Sequence, residues 1–186
     1  MGLNADNVDQ FDIITRSAKI NAEIHAKRLN IIAGRNDVDA QTLNPTALPD
    51  DGSAKPELAV DSSALGGMYA GAIRLVGTEA GVGVRLAGDL AASGGDIQID
   101  AAGHLSMTQT AASGAVCRSR SCAEVNGPVY AGSSLTMSTA GDLTTRQNVA
   151  ARDALSLSAG GQLNNSAVIE ASRTRCAEPF RRRTTQ

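Results

Sequence analysis

The stretches Ile97-Gln98-Ile99-Asp100-Ala101-Ala102-Gly103-His104-Leu105, Leu135-Thr136-Met137-Ser138-Thr139-Ala140-Gly141-Asp142-Leu143 and Leu155-Ser156-Leu157-Ser158-Ala159-Gly160-Gly161-Gln162-Leu163 share one pattern. An apolar, a polar and an apolar residue are followed, four positions after the triplet, by Gly-x-Leu. The second copy begins at Leu135 and the third at Leu155, whereas the first begins at Ile97, nearly twice that step before the second. A degenerate copy fits the gap, with Cys117 standing one step after Ile97 and Val125 one step after Leu105. A repeat of about 20 residues lies at the short end of the solenoid range.

The physical consequence is a thin, stacked molecule. One repeat supplies two or three very short strands and cannot bury its own apolar face. Stacked repeats pair strand to strand in parallel, and the Leu, Ile and Val positions form continuous interior ladders. The expected fold is all-β, a parallel β-helix with about 20 residues per repeat, and the Gly before each Leu is expected at a tightly bent corner. A β-sandwich of short strands accounts for the strand signal but leaves the spacing unexplained. Composition agrees with a narrow interior: 186 residues hold no Trp, two Phe, two Tyr and 19 Gly, so the large rings that fill most compact cores are scarce.

Upstream, Ala18, Ile20, Ala22, Ile24 and Ala26 alternate with Lys19, Asn21, Glu23 and His25, which is a strand with one wet face. His25 belongs to the solvated side. Leu29, Ile31 and Ala33 begin a second alternation, and Gly34-Arg35-Asn36-Asp37 reads as a turn. Residues 44–57 hold three Pro and little apolar content. They read as an exposed excursion, since Pro cannot donate to a strand ladder. Gly punctuates 58–90 too densely for a helix. Two places break the pattern: 117–122 replace the apolar alternation with Cys, Arg and Ser, and the tail from Arg173 drops the repeat. Foreign sequence, for example from frame changes, fits the tail; simple divergence fits 117–122.

Chemistry is hard to find. Residues 173–186 carry five Arg against one Glu, a net of +4, while the remaining 12 basic and 18 acidic residues give −6. The body has no nucleic-acid footprint, and the tail reads as a basic, disordered terminus. Cys117 and Cys122 have the spacing for a disulfide across a turn, although the third cysteine, Cys176, leaves the count odd. No Cys/His set has metal-ligand spacing, and His104 is isolated. A β-helix that cleaves acidic sugars would need clustered carboxylates; Asp96, Asp100, Asp142 and Asp153 are scattered, and Asp50-Asp51 sit in the Pro-rich loop. Asn164-Asn165-Ser166 matches a glycosylation acceptor, a pattern common by chance. No catalytic, cofactor-binding or metal-binding residue is expected. The first residues show no basic and apolar leader, and no run approaches the roughly 18 apolar residues of a membrane span, so the chain as written is expected to stay in the cytoplasm.

A resemblance sharpens this. Asn7-x-Asp9-x5-Thr15-Arg16, the alternation over 18–26 and Leu29-Asn-Ile-Ile-Ala-Gly-Arg-Asn36 resemble the closing part of the haemagglutination-activity domain of two-partner secretion exoproteins. Ser63-Ala-Leu-Gly-Gly-Met-Tyr-Ala-Gly-Ala-Ile-Arg-Leu-Val-Gly-Thr-Glu-Ala-Gly-Val-Gly-Val84 is similar to the segment that follows that domain in filamentous haemagglutinins and contact-dependent growth-inhibition exoproteins. The later repeats resemble their shaft. The resemblance implies a right-handed parallel β-helix, an outer-membrane pore as secretion partner, and a host or bacterial cell-surface receptor or glycan as target. It divides the chain into the end of the secretion domain (1–40), a Pro-rich loop (41–57), haemagglutinin-type repeats (58–172) and the tail (173–186). The expected function is a structural shaft segment of a large secreted adhesin, either an internal fragment or the product of a broken gene. The alternative is a β-helical polysaccharide lyase or hydrolase.

Overall fold

An apolar-polar-apolar triplet is one three-residue strand with its outer side chains on the same face. In the computed structural model, which describes residues 2–172, such triplets recur on three faces of a stack of about eight coils. The first coil is β1 (Leu3–Ala5), β2 (Phe11–Thr15) and β3 (Ala18–Ile20). The second begins with β4 (Ile24–Ala33), which runs across two faces. It throws out a hairpin of β5 (Asn36–Val38) and β6 (Pro45–Ala47), then returns with β7 (Leu58–Ser62). The third is β8 (Met68–Gly77), again two faces long, and β9 (Gly83–Leu86).

From here each face has its own strand. The fourth coil is β10 (Leu90–Ala92), β11 (Asp96–Ala101) and β12 (Leu105–Met107); the fifth is β13 (Thr110–Ala112), β14 (Gly114–Ser119) and β15 (Ala123–Val125). The sixth is β16 (Val129–Ala131), β17 (Ser134–Thr139) and β18 (Leu143–Thr145); the seventh is β19 (Val149–Ala151), β20 (Ala154–Ala159) and β21 (Leu163–Asn165). β22 (Ile169–Ala171) begins the eighth.

Pairing between coils is parallel throughout, and only the hairpin β5–β6 is antiparallel among the described residues. That excludes the sandwich. β4 and β8 fuse two faces into a 13-stranded sheet, and the third face is a separate 7-stranded sheet.

The core is the inside of the stack. On the second face, Leu29, Ile73, Ile97, Ala115, Leu135 and Leu155 form one ladder, and Ile31, Leu75, Ile99, Cys117, Met137 and Leu157 form the next. The third face contributes Val60, Val84, Leu105, Ala123 and Leu143. On the first face one position is alanine in every coil: Ala5, Ala26, Ala70, Ala92, Ala112, Ala131, Ala151 and Ala171. It stands beside the corner where the chain turns onto the second face, so two faces of the sheet converge there and only a methyl is used.

Several expectations are corrected. The fifth coil advances by less than the expected step: Ala115 lies beside Ile97 and Cys117 beside Ile99, while Ala123 and Val125 lie beside Leu105 and Met107. The wide gap between Ile97 and Leu135 is therefore one short coil plus one full coil. The stretch 117–122 does not abandon the pattern, because β14 continues through Ser119, with Cys117 and Ser119 buried. Smaller side chains keep the ladder. The alternation over 18–26 is broken into β3 and β4 by a corner at 21–23.

The turn after β4 is confined to Gly34 (φ 123°) and Arg35, because Asn36 already starts β5. Pro45 does enter a strand, opposite Val38 at the end of a two-stranded ribbon, where edge strands tolerate a missing N–H. Gly103, Gly141 and Gly161 are not in the left-handed region. Coil spacing selects them instead: a Cβ on Gly103 would lie 2.6 Å from the Val82 carbonyl carbon of the coil before.

Candidate binding surface

The carboxylates considered for sugar cleavage do not converge. Asp96 and Asp100 lie near opposite ends of β11, about 13 Å apart along an extended strand. Asp142 lies two coils away, accepting the Gln162 backbone N–H at 2.7 Å. Asp153 follows β19 on the seventh coil, its N–H donated to Ser133 O at 2.8 Å. Asp50 and Asp51 are held apart by separate cations, Lys55 at 3.0 Å and Arg35 at 2.6 Å. The Lys55 hydrogen bond holds Asp50 below the ordinary carboxylate range, and the Ser53 hydroxyl and N–H do the same for Asp51. Paired carboxylates that do acid–base work need one pKa raised; here both are lowered.

Cys117 and Cys122 are free thiols, so the disulfide does not form. Cys117 points into the core, and burial pushes its pKa to about 12. Cys176 and the basic tail lie outside the described residues. His104 is an exposed corner residue, and Asn164 is exposed on β21. No group of three or more His, Cys, Asp or Glu able to hold a metal occurs among the described residues. His25 is not simply solvated: it stacks on Tyr69, with ring centroids 5.1 Å apart and planes at 15°.

The irregular coils carry the built features. At its base the hairpin is tied down by Arg35–Asp51 and by the Thr78 hydroxyl donating to Asn36 Oδ1. Below it, Arg16 grips Glu79 with two hydrogen bonds at 2.9 and 3.2 Å, linking the first coil to the third. That contact holds Glu79 below the ordinary carboxylate range. At its tip the Asp39 carboxylate accepts from Thr42 N, Thr42 Oγ1 and Gln41 N at 2.7, 2.8 and 3.1 Å. The tip is thereby held over the second face, where Arg74 Nη1 donates to Leu43 O at 2.8 Å. On the first face both tyrosines of the chain share one outward ladder, Tyr69, Ala91, Ala111 and Tyr130. A groove of about 740 Å³ floored by the alanines lies between the rings. Neither surface is visible as a motif, because its members are spaced by coil lengths.

Similarity to known proteins is specific. A family model described as the TPS secretion domain matches residues 1–107, more than half of the chain. The chain belongs to the two-partner secretion family. A haemagglutinin-repeat model matches residues 125–174. Among similar proteins, 16S rRNA endonuclease CdiA of Enterobacter cloacae subsp. cloacae is 43% identical over 166 residues, which are 89% of this chain and 5% of that protein. Toxin CdiA of Yersinia pestis is 54% identical over 104 residues, 56% of this chain and 3% of the relative. The protein named tRNA nuclease CdiA-2 of Burkholderia pseudomallei is 50% identical over 107 residues, 58% of this chain and 3% of the relative. The chain thus spans a few per cent of their length, 3–5% for these three. No solved structure matches it.

In this two-partner secretion chain the two matched ranges leave 108–124 between them. That is the fifth coil, the one whose interior positions shrink to Thr110, Ala115, Cys117 and Ala123. The coils of the first matched range pass into those of the second without any break in parallel pairing.

Proposed function

We propose that this chain is a shaft segment of a large secreted exoprotein, exported through an outer-membrane pore partner and holding a distal adhesive or toxic part away from the cell. The observation that carries this reading is the unbroken interior ladder across both matched ranges. Each added coil lengthens the stack by about 4.8 Å, and its backbone pairing is satisfied by the next coil, so the design extends indefinitely without a closing element. In this proposal 1–40 and 58–172 belong to one stack from which 41–57 projects, with the fifth coil as the junction of secretion domain and repeat shaft. The nuclease in the relatives' names belongs to those proteins, and we propose no catalytic step for this segment. A receptor or glycan on a host or neighbouring cell is the target class. Expressing the chain behind a cleavable export signal, with and without the outer-membrane partner of its own locus, tests the reading. Partner-dependent appearance in the medium supports it; retention in the periplasm in both cases sinks it.

A further inference from the structure

We propose that the cleft between the hairpin tip and the second face binds an acidic sugar, a glycan residue carrying a carboxylate. Its floor is three polar side chains in adjacent coils: Asn30, Arg74 and Gln98 are direct ladder partners, about 4.8 Å apart. Arg28 flanks them, beside Ala72 in the register. The hairpin supplies the opposite wall through Gln41, Thr42 and Asn44, and the cleft encloses about 530 Å³, within the usual range for small-ligand sites.

Three observations select the ligand. The first is charge. Arg28 and Arg74 make no ion pair among the described residues, and no carboxylate lines the cleft. Asp12, beside Asn30 in the register, is engaged by Asn30 Nδ2 at 2.7 Å and Gln10 Nε2 at 2.9 Å. Asp9 accepts from Lys27 Nζ at 2.8 Å, while Arg28 Nε donates to the Asp9 carbonyl at 3.3 Å. Arg74 has no carboxylate beside it among the described residues, and Arg28, whose charge also acts on Asp9, still lines the cleft; Arg suits a planar carboxylate because its donors form a fixed fork.

The second is the amide lining. An amide side chain both donates and accepts, as a sugar hydroxyl does. Inorganic phosphate or sulfate offers mainly acceptors and would use only half of that lining. An apolar ligand finds only Leu43.

The third is preorganisation. Leu43 is the one described non-glycine residue at positive φ, 54°, a conformation that is uncommon for a non-glycine residue. It is held by its N–H on Asp39 O at 2.9 Å and by Arg74 on its carbonyl. Such strain is kept where a loop must be placed, and here it fixes the wall opposite Gln98.

The proposal deepens the adhesin reading by naming a ligand class for its outer face. Its test is separate, because it needs neither export nor the rest of the exoprotein. Tri-galacturonate is titrated into the purified, folded chain by calorimetry, with a neutral trisaccharide and inorganic phosphate as comparisons. Binding is expected for tri-galacturonate and at least tenfold weaker for the neutral sugar, with phosphate failing to compete. R28Q should weaken binding by about tenfold or more, the loss of one charge-assisted hydrogen bond, with circular dichroism unchanged and the melt lowered only by the loss of the exposed Asp9 contact. Q98A should weaken it less. No binding by the folded chain, binding untouched by R28Q, or equal competition by phosphate would each overturn the assignment. Arg74 is left alone in this test because it also anchors the hairpin.

Discussion

From Ile24 the chain does not return to the first face until Met68, and the following return, at Leu90, takes only half as long. From Leu90 onward the returns fall at Thr110, Val129, Val149 and Ile169, an almost constant step. The interior ladders do not register the difference: Ile31, Leu75 and Ile99 stack as Met137 and Leu157 do. The extra length of the early coils lies outside the stack, where it builds the hairpin and with it one wall of the polar cleft. Loop-closure cost grows only slowly with length, so a β-helix accepts insertions at its corners while its core stays fixed. The regular coils specify the fold, and the irregular ones carry candidate chemistry.

The largest expected effect tests whether the regular coils owe their stability to the ladder. Leu143 is 0% exposed, whereas its ladder neighbour Leu163 is 48% exposed. Leu143→Ala should destabilise the chain by about 2–5 kcal/mol in denaturant unfolding, and Leu163→Ala by less than about 1 kcal/mol, as for other surface changes. Equal costs at the two positions would mean that the register is wrong or that the last coil is covered in solution.

The glycines sharpen the same comparison. Gly103 faces the Val82 carbonyl carbon, and alanine there should cost about 1–3 kcal/mol by forcing two coils apart. Gly94 has nothing within 4 Å of an added Cβ, so Gly94→Ala should be neutral or stabilise by about 0.4–1 kcal/mol. Thermal melts of the two variants side by side decide it. If both are harmless, close coil approach is not what keeps glycine at the corners.

These positions show what a sequence can and cannot reveal about a β-helix. The apolar triplets at 97, 135 and 155 announce the coil because Leu, Ile and Met mark an inward position unambiguously. A constant step places the fifth coil out of register, because that coil is short and its markers are only Ala115, Cys117 and Ala123. The alanine ladder of the first face is hidden for a related reason: Ala is common on either side of a sheet. The cleft is less legible still. Asn30, Arg74 and Gln98 are remote from one another along the chain, and only the stacked register places them side by side. A linear motif search has no means of joining them.

Within the short coil, Thr110 occupies the ladder position held by Leu90 and Val129 in its neighbours. Its hydroxyl is buried, with 1% of the residue exposed, and finds no partner among the described residues. A buried, unsatisfied hydroxyl costs about 1–3 kcal/mol. Thr110→Val keeps the shape and removes the polar atom, so it should stabilise the chain by about 1 kcal/mol in denaturant unfolding. A loss of stability instead would show that the hydroxyl is satisfied in solution, and that the divergence of this coil has a purpose beyond packing.

The smallest effect belongs to the irregular half and is read through pH. The Arg16–Glu79 contact is made by a carboxylate only 9% exposed and a guanidinium 37% exposed. Because the hydrogen bond from Arg16 lowers the Glu79 pKa in the folded chain, its stabilisation is fully present above the unfolded-state value and is lost as pH falls through the folded one. Glu79→Gln should therefore lower the melting temperature at about pH 7, and the difference from the wild type should close as the pH falls below the ordinary carboxylate range. Asp9, Asp39, Asp50 and Asp51 are also lowered and titrate in the same window, so the acid melt of the wild type alone cannot isolate one pair. The difference between wild type and variant can, since the other carboxylates are common to both. A difference that persists unchanged to about pH 3, below the ordinary carboxylate range, would mean that Glu79 contributes through packing rather than charge, and that the early coils, like the late ones, are held by shape.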